Sequence, residues 1–140
     1  MGINIEMQKV RTKHVLIIDD DAATLFAYKM LFKQYAFIMI KACETLDHAL
    51  EQMSGTSFDI VITDLRLTGE GSEEGMEIIR CIRHLQPNTK VILVTGYGSE
   101  QVKAKAFELG ASFYFEKPVH PADMFDALRK LLIIEDHDQT

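Results

Sequence analysis

The sequence predicts a doubly wound α/β domain, in which a five-stranded parallel sheet carries five helices on its two faces. Five short apolar runs alternate along the chain with five stretches whose apolar residues have helical spacing. The runs are nearly continuous, as in strands that are covered on both faces. The length of 140 residues suits one domain, and the alternation implies right-handed crossovers between parallel strands.

Each strand is predicted from an apolar run, and each helix from the spacing of the apolar residues that follow it. The strands are Val15 to Ile18, Phe37 to Ile40, Ile60 to Ile62, Val91 to Val94, and Phe113 to Phe115. In the helical stretches, apolar residues recur mainly three or four positions apart. They are Leu25, Tyr28 and Phe32; Leu46, Ala49, Leu50 and Met53; Met76, Ile79 and Ile82; Val102, Ala106 and Leu109; and Met124, Leu128 and Leu131.

Glycine and proline residues mark the limits of the predicted helices. Gly55 and Gly110 stand where helix C-caps are expected, because glycine adopts the left-handed conformation easily. Pro87 follows the third helix, and Pro121 suits the first turn of the fifth. These limits agree with five βα units.

Composition and charge exclude several classes of function. Fifteen basic and 21 acidic side chains give a net charge of −6, which disfavours direct binding of nucleic acid by this domain. No apolar run approaches the roughly 18 residues of a membrane span, so we expect a cytoplasmic protein without a membrane partner. Cys43 and Cys81 form no Cys-x-x-Cys motif and are expected to be reduced packing residues. The domain is predicted at 13–134, between a polar N-terminal extension (1–12) and a C-terminal tail (135–140).

Charged and polar residues follow the predicted strands at their carboxyl ends, where doubly wound sheets bind ligands. Asp19 and Asp20 come after the first strand, and Asp64 comes after the third. The fourth strand ends in Thr95, and Lys117 follows the fifth. Three acids, a hydroxyl and a lysine therefore converge from four strand ends.

An aspartate after a strand is commonly a helix N-cap, and Asp21 fits that role. For Asp19 and Asp20 taken alone, a capping role or a position in a solvated loop is supported as well as a functional role is. Asp64 changes the balance, because neighbouring carboxylates repel each other and raise one another's pKa. A chain keeps such a cluster where a divalent cation uses it, and a few hard oxygen ligands suit Mg²⁺ rather than zinc. The sequence therefore predicts a magnesium site.

Four segments resemble the receiver domain of two-component response regulators. They are VLIIDDD, DIVITDLRL, VILVTGYGS and FYFEKPV, in the family's order across roughly residues 13 to 132. The resemblance implies the flavodoxin-like strand order 2-1-3-4-5. It also implies a phosphoacceptor in a phosphorelay, which takes its phosphoryl group from a sensor histidine kinase or a phosphotransfer protein. Such a domain is not an enzyme in its own right, although it assists its own phosphorylation and dephosphorylation.

The resemblance assigns a role to each acidic residue of the predicted site. Asp64 resembles the phosphorylated aspartate, and Asp20 resembles a direct Mg²⁺ ligand. The backbone carbonyl of Arg66 is expected as a further ligand. Asp19 is expected to act on the cation through water.

The other strand ends carry residues that resemble the family's phosphoryl contacts and its switch. Thr95 resembles the hydroxyl that meets a phosphoryl oxygen, and Lys117 resembles the family's lysine. Tyr114 resembles the switch aromatic, although a plain strand aromatic is the alternative. Pro118 resembles the proline that often follows a cis bond. Phosphorylation is then expected to change the face formed by helix 4, strand 5 and helix 5, which becomes a surface for a partner or a homodimer.

Access to the site and the lifetime of the phosphoryl group depend on its neighbours. Gly96 leaves the approach for a donor open. Arg66 and Tyr97 stand at the two positions that tend to set this lifetime in the family, and their bulk predicts slow hydrolysis. Thr68 replaces the family's usual proline, and the segment LTGEGSEEG before Gly75 is longer than usual.

Two other classes of function compete with this interpretation. A Mg²⁺-dependent phosphohydrolase of the haloacid dehalogenase type also has an aspartyl nucleophile, but it uses an acid two residues later, where this chain has Arg66. A flavodoxin-like nucleotide binder needs a loop rich in Gly, Ser or Thr after the first strand, where this chain has three aspartates. The phosphohydrolase is the nearer alternative.

Overall fold

The fold is that of a computed structural model, which describes residues 11–64 and 74–132. Within these ranges, five strands alternate with five helices. In chain order they are β1 (Lys13–Ile18), α1 (Ala22–Phe32), β2 (Ile38–Cys43), α2 (Leu46–Gly55), β3 (Ile60–Asp64), α3 (Glu74–Leu85), β4 (Lys90–Thr95), α4 (Glu100–Leu109), β5 (Phe113–Glu116) and α5 (Pro121–Leu132). The strands form one parallel sheet in the order β2-β1-β3-β4-β5, which confirms the predicted fold class and strand order.

Three predicted features lie largely or wholly outside the described residues. They are the N-terminal extension (1–12), of which only the last two residues are described, the longer loop before Gly75, and the C-terminal tail (135–140). The backbone carbonyl of Arg66 also lies outside the described ranges. These features stay predictions.

Two apolar layers pack on the two faces of the sheet, because successive strand residues point to opposite faces. Val15 and Ile17 of β1 face the layer that α1 and α5 cover. Leu16 and Ile18 face the layer that α2, α3 and α4 cover. Complete burial of one such side chain stabilises the fold by about 1.5–3 kcal/mol. The central strands are therefore held firmly, and with them the residues at their ends.

The two outer strands are less buried than the continuous apolar runs predict. Met39 of β2 is 54% exposed, and residues 113–115 of β5 are only partly buried. Each of these strands has a neighbour on one side only, which a run of apolar letters cannot reveal. β2 also extends past the predicted run to Cys43, because all six residues of β1 pair with it.

The helix ends largely follow the predicted signals. Gly110 caps α4 in the left-handed conformation, with a φ of 113°, and Pro121 begins α5. The prediction of a C-cap at Gly55 is wrong by one residue, since Gly55 ends α2 and the extended Thr56 is the cap. Among the described residues, no helix is long and apolar enough to cross a bilayer.

Both cysteines are free thiols, as expected. Cys43 is buried at the end of β2, and burial raises the pKa of its thiol to about 11. Cys81 is partly buried on α3. Both residues therefore act as packing side chains here.

Candidate functional site

Three aspartates meet at the carboxyl ends of the adjacent strands β1 and β3. Asp19 and Asp20 directly follow β1, and Asp64 is the last residue of β3. Each contributes a carboxylate oxygen to a group whose members all lie within 4.8 Å of one another. Asp19 is 4% exposed and Asp64 is 7% exposed, whereas Asp20 is open to solvent. The pairing of residues 15–18 with 60–63 brings the two strand ends side by side.

Lys117 joins this cluster from the loop after β5. Its Nζ donates to Oδ2 of Asp19 at 2.9 Å and to Oδ2 of Asp64 at 3.0 Å. Its backbone N–H donates to the carbonyl oxygen of Thr95 at 2.8 Å, and the peptide bond to Pro118 is cis. The lysine therefore reaches across the end of β4 to the two buried carboxylates.

The electrostatics of the cluster follow from this burial and pairing. Burial raises the pKa of Asp19, and hydrogen bonds from Lys117 and from the Asp21 backbone offset only part of the effect. Burial alone would lower the pKa of Lys117, but its hydrogen bonds to Asp19 and Asp64 outweigh burial and raise that pKa. With all three carboxylates ionised, three negative charges and one positive charge leave a net charge of −2.

Asp21, and not Asp20, caps the start of α1. The Asp21 side chain accepts from the backbone N–H of Ala23 at 3.2 Å and from the hydroxyl of Thr24 at 2.8 Å. It is the N-cap of α1, as its position in the sequence predicts. Among the described residues, none donates a hydrogen bond to the Asp20 side chain. Capping therefore does not explain Asp20.

Thr95 and Gly96 lie at the end of β4. Thr95 is fully buried, and its hydroxyl oxygen accepts from the backbone N–H of Tyr97 at 3.0 Å. The Tyr97 side chain is 62% exposed. A Cβ at Gly96 would have no atom within 4 Å, so the backbone there faces open space.

Tyr114 is partly buried on β5, and it packs on the apolar layer that α3 and α4 cover. Its hydroxyl donates to Oε2 of Glu116 at 3.2 Å. Sequence reasoning noted Glu116 after the fifth strand but assigned it no role. A signal was present, because residues two apart on a strand share a face.

A cleft of about 500 Å³ between α1 and the start of α5 was also missed. Its lining is mostly apolar and includes Tyr28, Leu31, Val119 and Met124, with Lys117 at the border of the carboxylate cluster. Burial raises the pKa of Tyr28 to about 12. The cleft depends on how two helices distant in sequence pack, so the helical spacing alone could not predict it.

Comparison with known proteins gives a consistent picture. Residues 15–129 match the response regulator receiver domain family. The acid tolerance regulatory protein ActR of Sinorhizobium medicae is 32% identical over 116 residues, which cover 83% of this chain and 58% of ActR. The sporulation initiation phosphotransferase F of Bacillus subtilis is 28% identical over 118 residues, which cover 84% of this chain and 92% of that protein.

The match spans between 49% and 58% of the length of ActR and several other curated relatives. A crystal structure of a CheY-like receiver domain protein from Methanospirillum hungatei JF-1 is 28% identical, with a TM-score of 0.80. That similarity covers 91% of this chain and 98% of the other. The sheet order, the acidic cluster and the family match agree, and the chain belongs to the response regulator receiver domain family of two-component systems.

Proposed function

We propose that Asp64 accepts a phosphoryl group, in a Mg²⁺-dependent reaction, from a phosphohistidine of a sensor histidine kinase or a phosphotransfer protein. The carboxylate cluster carries this proposal, because it places Asp64 beside two further acids and 3.0 Å from the Lys117 ammonium. Receiver domains of response regulators are phosphorylated by histidine kinases. The similarity to a sporulation phosphotransferase supports the same chemistry.

The transfer requires a carboxylate oxygen that can attack phosphorus in line with the leaving group. Asp64 ends a fully buried strand, so its backbone is fixed while its carboxylate reaches the site. An Asp64 oxygen forms a bond to phosphorus as the phosphorus–nitrogen bond of the donor breaks. The electron pair of that bond stays on the histidine nitrogen. The product is an aspartyl phosphate.

The donor set fits a hard divalent cation, since it consists of carboxylate oxygen atoms and since the cluster, with Lys117 included, carries a net charge of −2. Asp20 would bind the cation directly, together with the carbonyl of Arg66. Asp19 would act through water, because its two oxygens already accept from the Asp21 backbone N–H and from Lys117. When bound, Mg²⁺ neutralises charge on the phosphoryl oxygens.

Lys117 and Thr95 supply positive charge and a hydroxyl donor to the phosphoryl oxygens. The Lys117 ammonium already lies between two carboxylates, so it can follow the negative charge from the carboxylate to the phosphoryl group. Thr95 would exchange its bond with the Tyr97 N–H for a phosphoryl contact. The open space at Gly96 gives the donor an approach. Tyr97 and Arg66 would slow hydrolysis by limiting the access of water.

Phosphorylation would change the surface formed by α4, β5 and α5, with Tyr114 turning inward as the switch. Phe107 of α4 is 43% exposed on this part of the molecule. The proposed surface includes Val102, Lys103, Lys105, Phe107, Tyr114 and Asp123. A partner protein or a second copy of the chain would bind it in the cytoplasm, where ATP-dependent kinases supply phosphohistidine.

Phosphorylation with acetyl phosphate and Mg²⁺ tests the proposal directly. We expect the intact mass of the wild type to rise by one phosphoryl group, and Asp64→Asn to abolish the rise. Asp59→Asn is the matched control, because Asp59 directly precedes the same strand at its opposite end and its carboxylate accepts from the His14 backbone. It should be phosphorylated like the wild type. Phosphorylation that persists in Asp64→Asn and maps to Ser or Thr would contradict the assignment.

A further inference from the structure

The hydroxyl of Tyr114 has a partner on β5 and lies next to the segment that leads into α4. It donates to Oε2 of Glu116 at 3.2 Å, and it lies close to the position that a Cβ of Gly98 would occupy. The next residue, Ser99, is the N-cap of α4, since its side chain accepts from the Val102 N–H at 3.1 Å. The tyrosine hydroxyl therefore lies between its own strand and the start of α4.

Gly98 provides the space that this arrangement needs. A Cβ at position 98 would lie 2.9 Å from the carboxylate carbon of Glu116 and closer still to the Tyr114 hydroxyl. Any larger residue would push both side-chain ends away. At Gly96, two positions earlier, an added Cβ would have no atom within 4 Å. A side chain at position 98 would thus displace the ends of Tyr114 and Glu116 from their present positions.

The backbone of Glu116 is tied to the proposed phosphorylation site. Glu116 is paired with Thr95 in the register of β4 and β5. The next residue, Lys117, donates its backbone N–H to the Thr95 carbonyl at 2.8 Å. Glu116 therefore has a fixed position between the switch tyrosine and the site lysine, while its side chain holds the Tyr114 hydroxyl.

We propose that Glu116 is a positioning residue that holds Tyr114 over Gly98 and so favours the receiver without a phosphoryl group. The inference rests on the proposed function, because it needs a switch that phosphorylation drives. A bond present in one state only shifts the equilibrium toward that state. Loss of the Glu116 carboxylate should then make binding of a phosphoryl mimic tighter.

The position of Tyr114 can be measured without any ligand, by the pH titration of its Cζ resonance in isotope-labelled protein, assigned with Tyr114→Phe. Burial and then the Glu116 carboxylate raise the pKa of Tyr114. We expect Glu116→Ala to lower this pKa, and Gly98→Ala to move the resonance. Gly96→Ala is the matched control and should leave it in place. An unchanged pKa in Glu116→Ala would overturn the proposal.

Binding of beryllofluoride with Mg²⁺ then tests the functional role. We expect Glu116→Ala to bind about fivefold more tightly than wild type, the effect of one hydrogen bond to a charged group near the surface. Glu116→Gln keeps an acceptor for the hydroxyl and should stay within about twofold of wild type. Glu100→Ala removes a neighbouring negative charge without this bond and should have no effect.

The two arms separate failure of this inference from failure of the proposed function. If the wild type binds beryllofluoride and Glu116→Ala binds it with the same affinity, Glu116 has no positioning role. If the wild type does not bind beryllofluoride at all, the proposed function fails, and the role of Glu116 in the switch fails with it.

Discussion

Two polar clusters lie at opposite ends of the strands of the same sheet, and they differ in how their charges and hydrogen bonds are satisfied. At the amino ends of β3 and β4, the uncharged side chains of Gln86 and Thr89 pair with neutral backbone groups. At the carboxyl ends of β1 and β3, three carboxylates share one ammonium group. We expect the first arrangement to stabilise the fold, and the second to cost stability that a bound cation would restore.

The cluster at the amino ends centres on the side-chain amide of Gln86, just after α3. Its Nε2 donates to the carbonyls of Met53 and Thr56, each at 2.8 Å, and its Oε1 accepts from the Phe58 N–H at 3.0 Å. The hydroxyl of the buried Thr89 donates to the Phe58 carbonyl at 2.6 Å. One uncharged side chain thus joins the end of α2 to the segment that enters β3.

The cluster at the carboxyl ends has no such balance among the described residues. Lys117 donates to one oxygen each of Asp19 and Asp64, and the Asp21 N–H donates to the other oxygen of Asp19. No described residue donates to the Asp20 carboxylate. The net charge of −2 is confined to a small volume next to a buried core. Carboxylates this close together are expected where a divalent cation is to be held.

The largest effect is expected when the hydrogen bonds of the Gln86 side chain are removed. Gln86→Ala leaves three backbone groups without a partner, and each lost hydrogen bond contributes about 1 kcal/mol. We expect the free energy of unfolding to fall by about 3 kcal/mol in urea denaturation. Gln52→Ala is the control, because among the described residues the Gln52 side chain has just one polar contact, an exposed one of 3.4 Å with His48. Equal losses in the two variants would contradict the role given to Gln86.

The next effect concerns the response of the charged cluster to Mg²⁺. At a hundredfold excess over its dissociation constant, Mg²⁺ should stabilise the wild type by about 2.7 kcal/mol through linkage. Mg²⁺ should barely stabilise Asp20→Asn, since this substitution removes the carboxylate that accepts no hydrogen bond from the described residues. Mg²⁺ should stabilise Asp59→Asn, whose substitution lies at the amino end of β3, as much as the wild type. Thermal melts with EDTA and with Mg²⁺ measure all three, and an equal shift in Asp20→Asn would remove Asp20 from the site.

The polar clusters at the two ends of the strands also show which parts of the site and the fold the sequence could predict. Asp19, Asp64 and Lys117 each lie within two residues of the end of an apolar run, so the topology of a parallel sheet was enough to bring them together. Gln86 gives no such signal, because its partners are the ends of segments about 30 residues away, and their position depends on packing. Strand periodicity could have predicted the bond between Tyr114 and Glu116. The contact of both side chains with Gly98 could not be predicted, because it depends on how closely the segment between β4 and α4 approaches β5.

A smaller effect concerns repulsion within the charged cluster. In chelator at low salt, Asp20→Asn should raise the free energy of unfolding by on the order of 1 kcal/mol, because like charges a few ångströms apart interact on this scale near a surface. Asp64→Ala should gain less, since it also removes the hydrogen bond from Lys117. Asp59→Ala should instead lose stability, because it leaves the His14 N–H without its acceptor. A loss of stability in Asp20→Asn would indicate that this carboxylate has a structural role.

The smallest effect is a pH dependence that comes from Asp19. Burial raises the pKa of Asp19 above its ordinary value of 3.8, so the folded protein takes up this proton at a higher pH than the unfolded chain does. In chelator, this group therefore adds stability as the pH falls from the folded pKa towards 3.8, and that stability is lost again as the pH rises through the folded pKa. Urea denaturation between neutral pH and pH 3.8 should show this rise in wild type and in Asp59→Asn, relative to Asp19→Asn. If Asp19→Asn shows the same pH dependence as the wild type, the buried carboxylate of Asp19 does not contribute to the cost in stability of the carboxylate cluster.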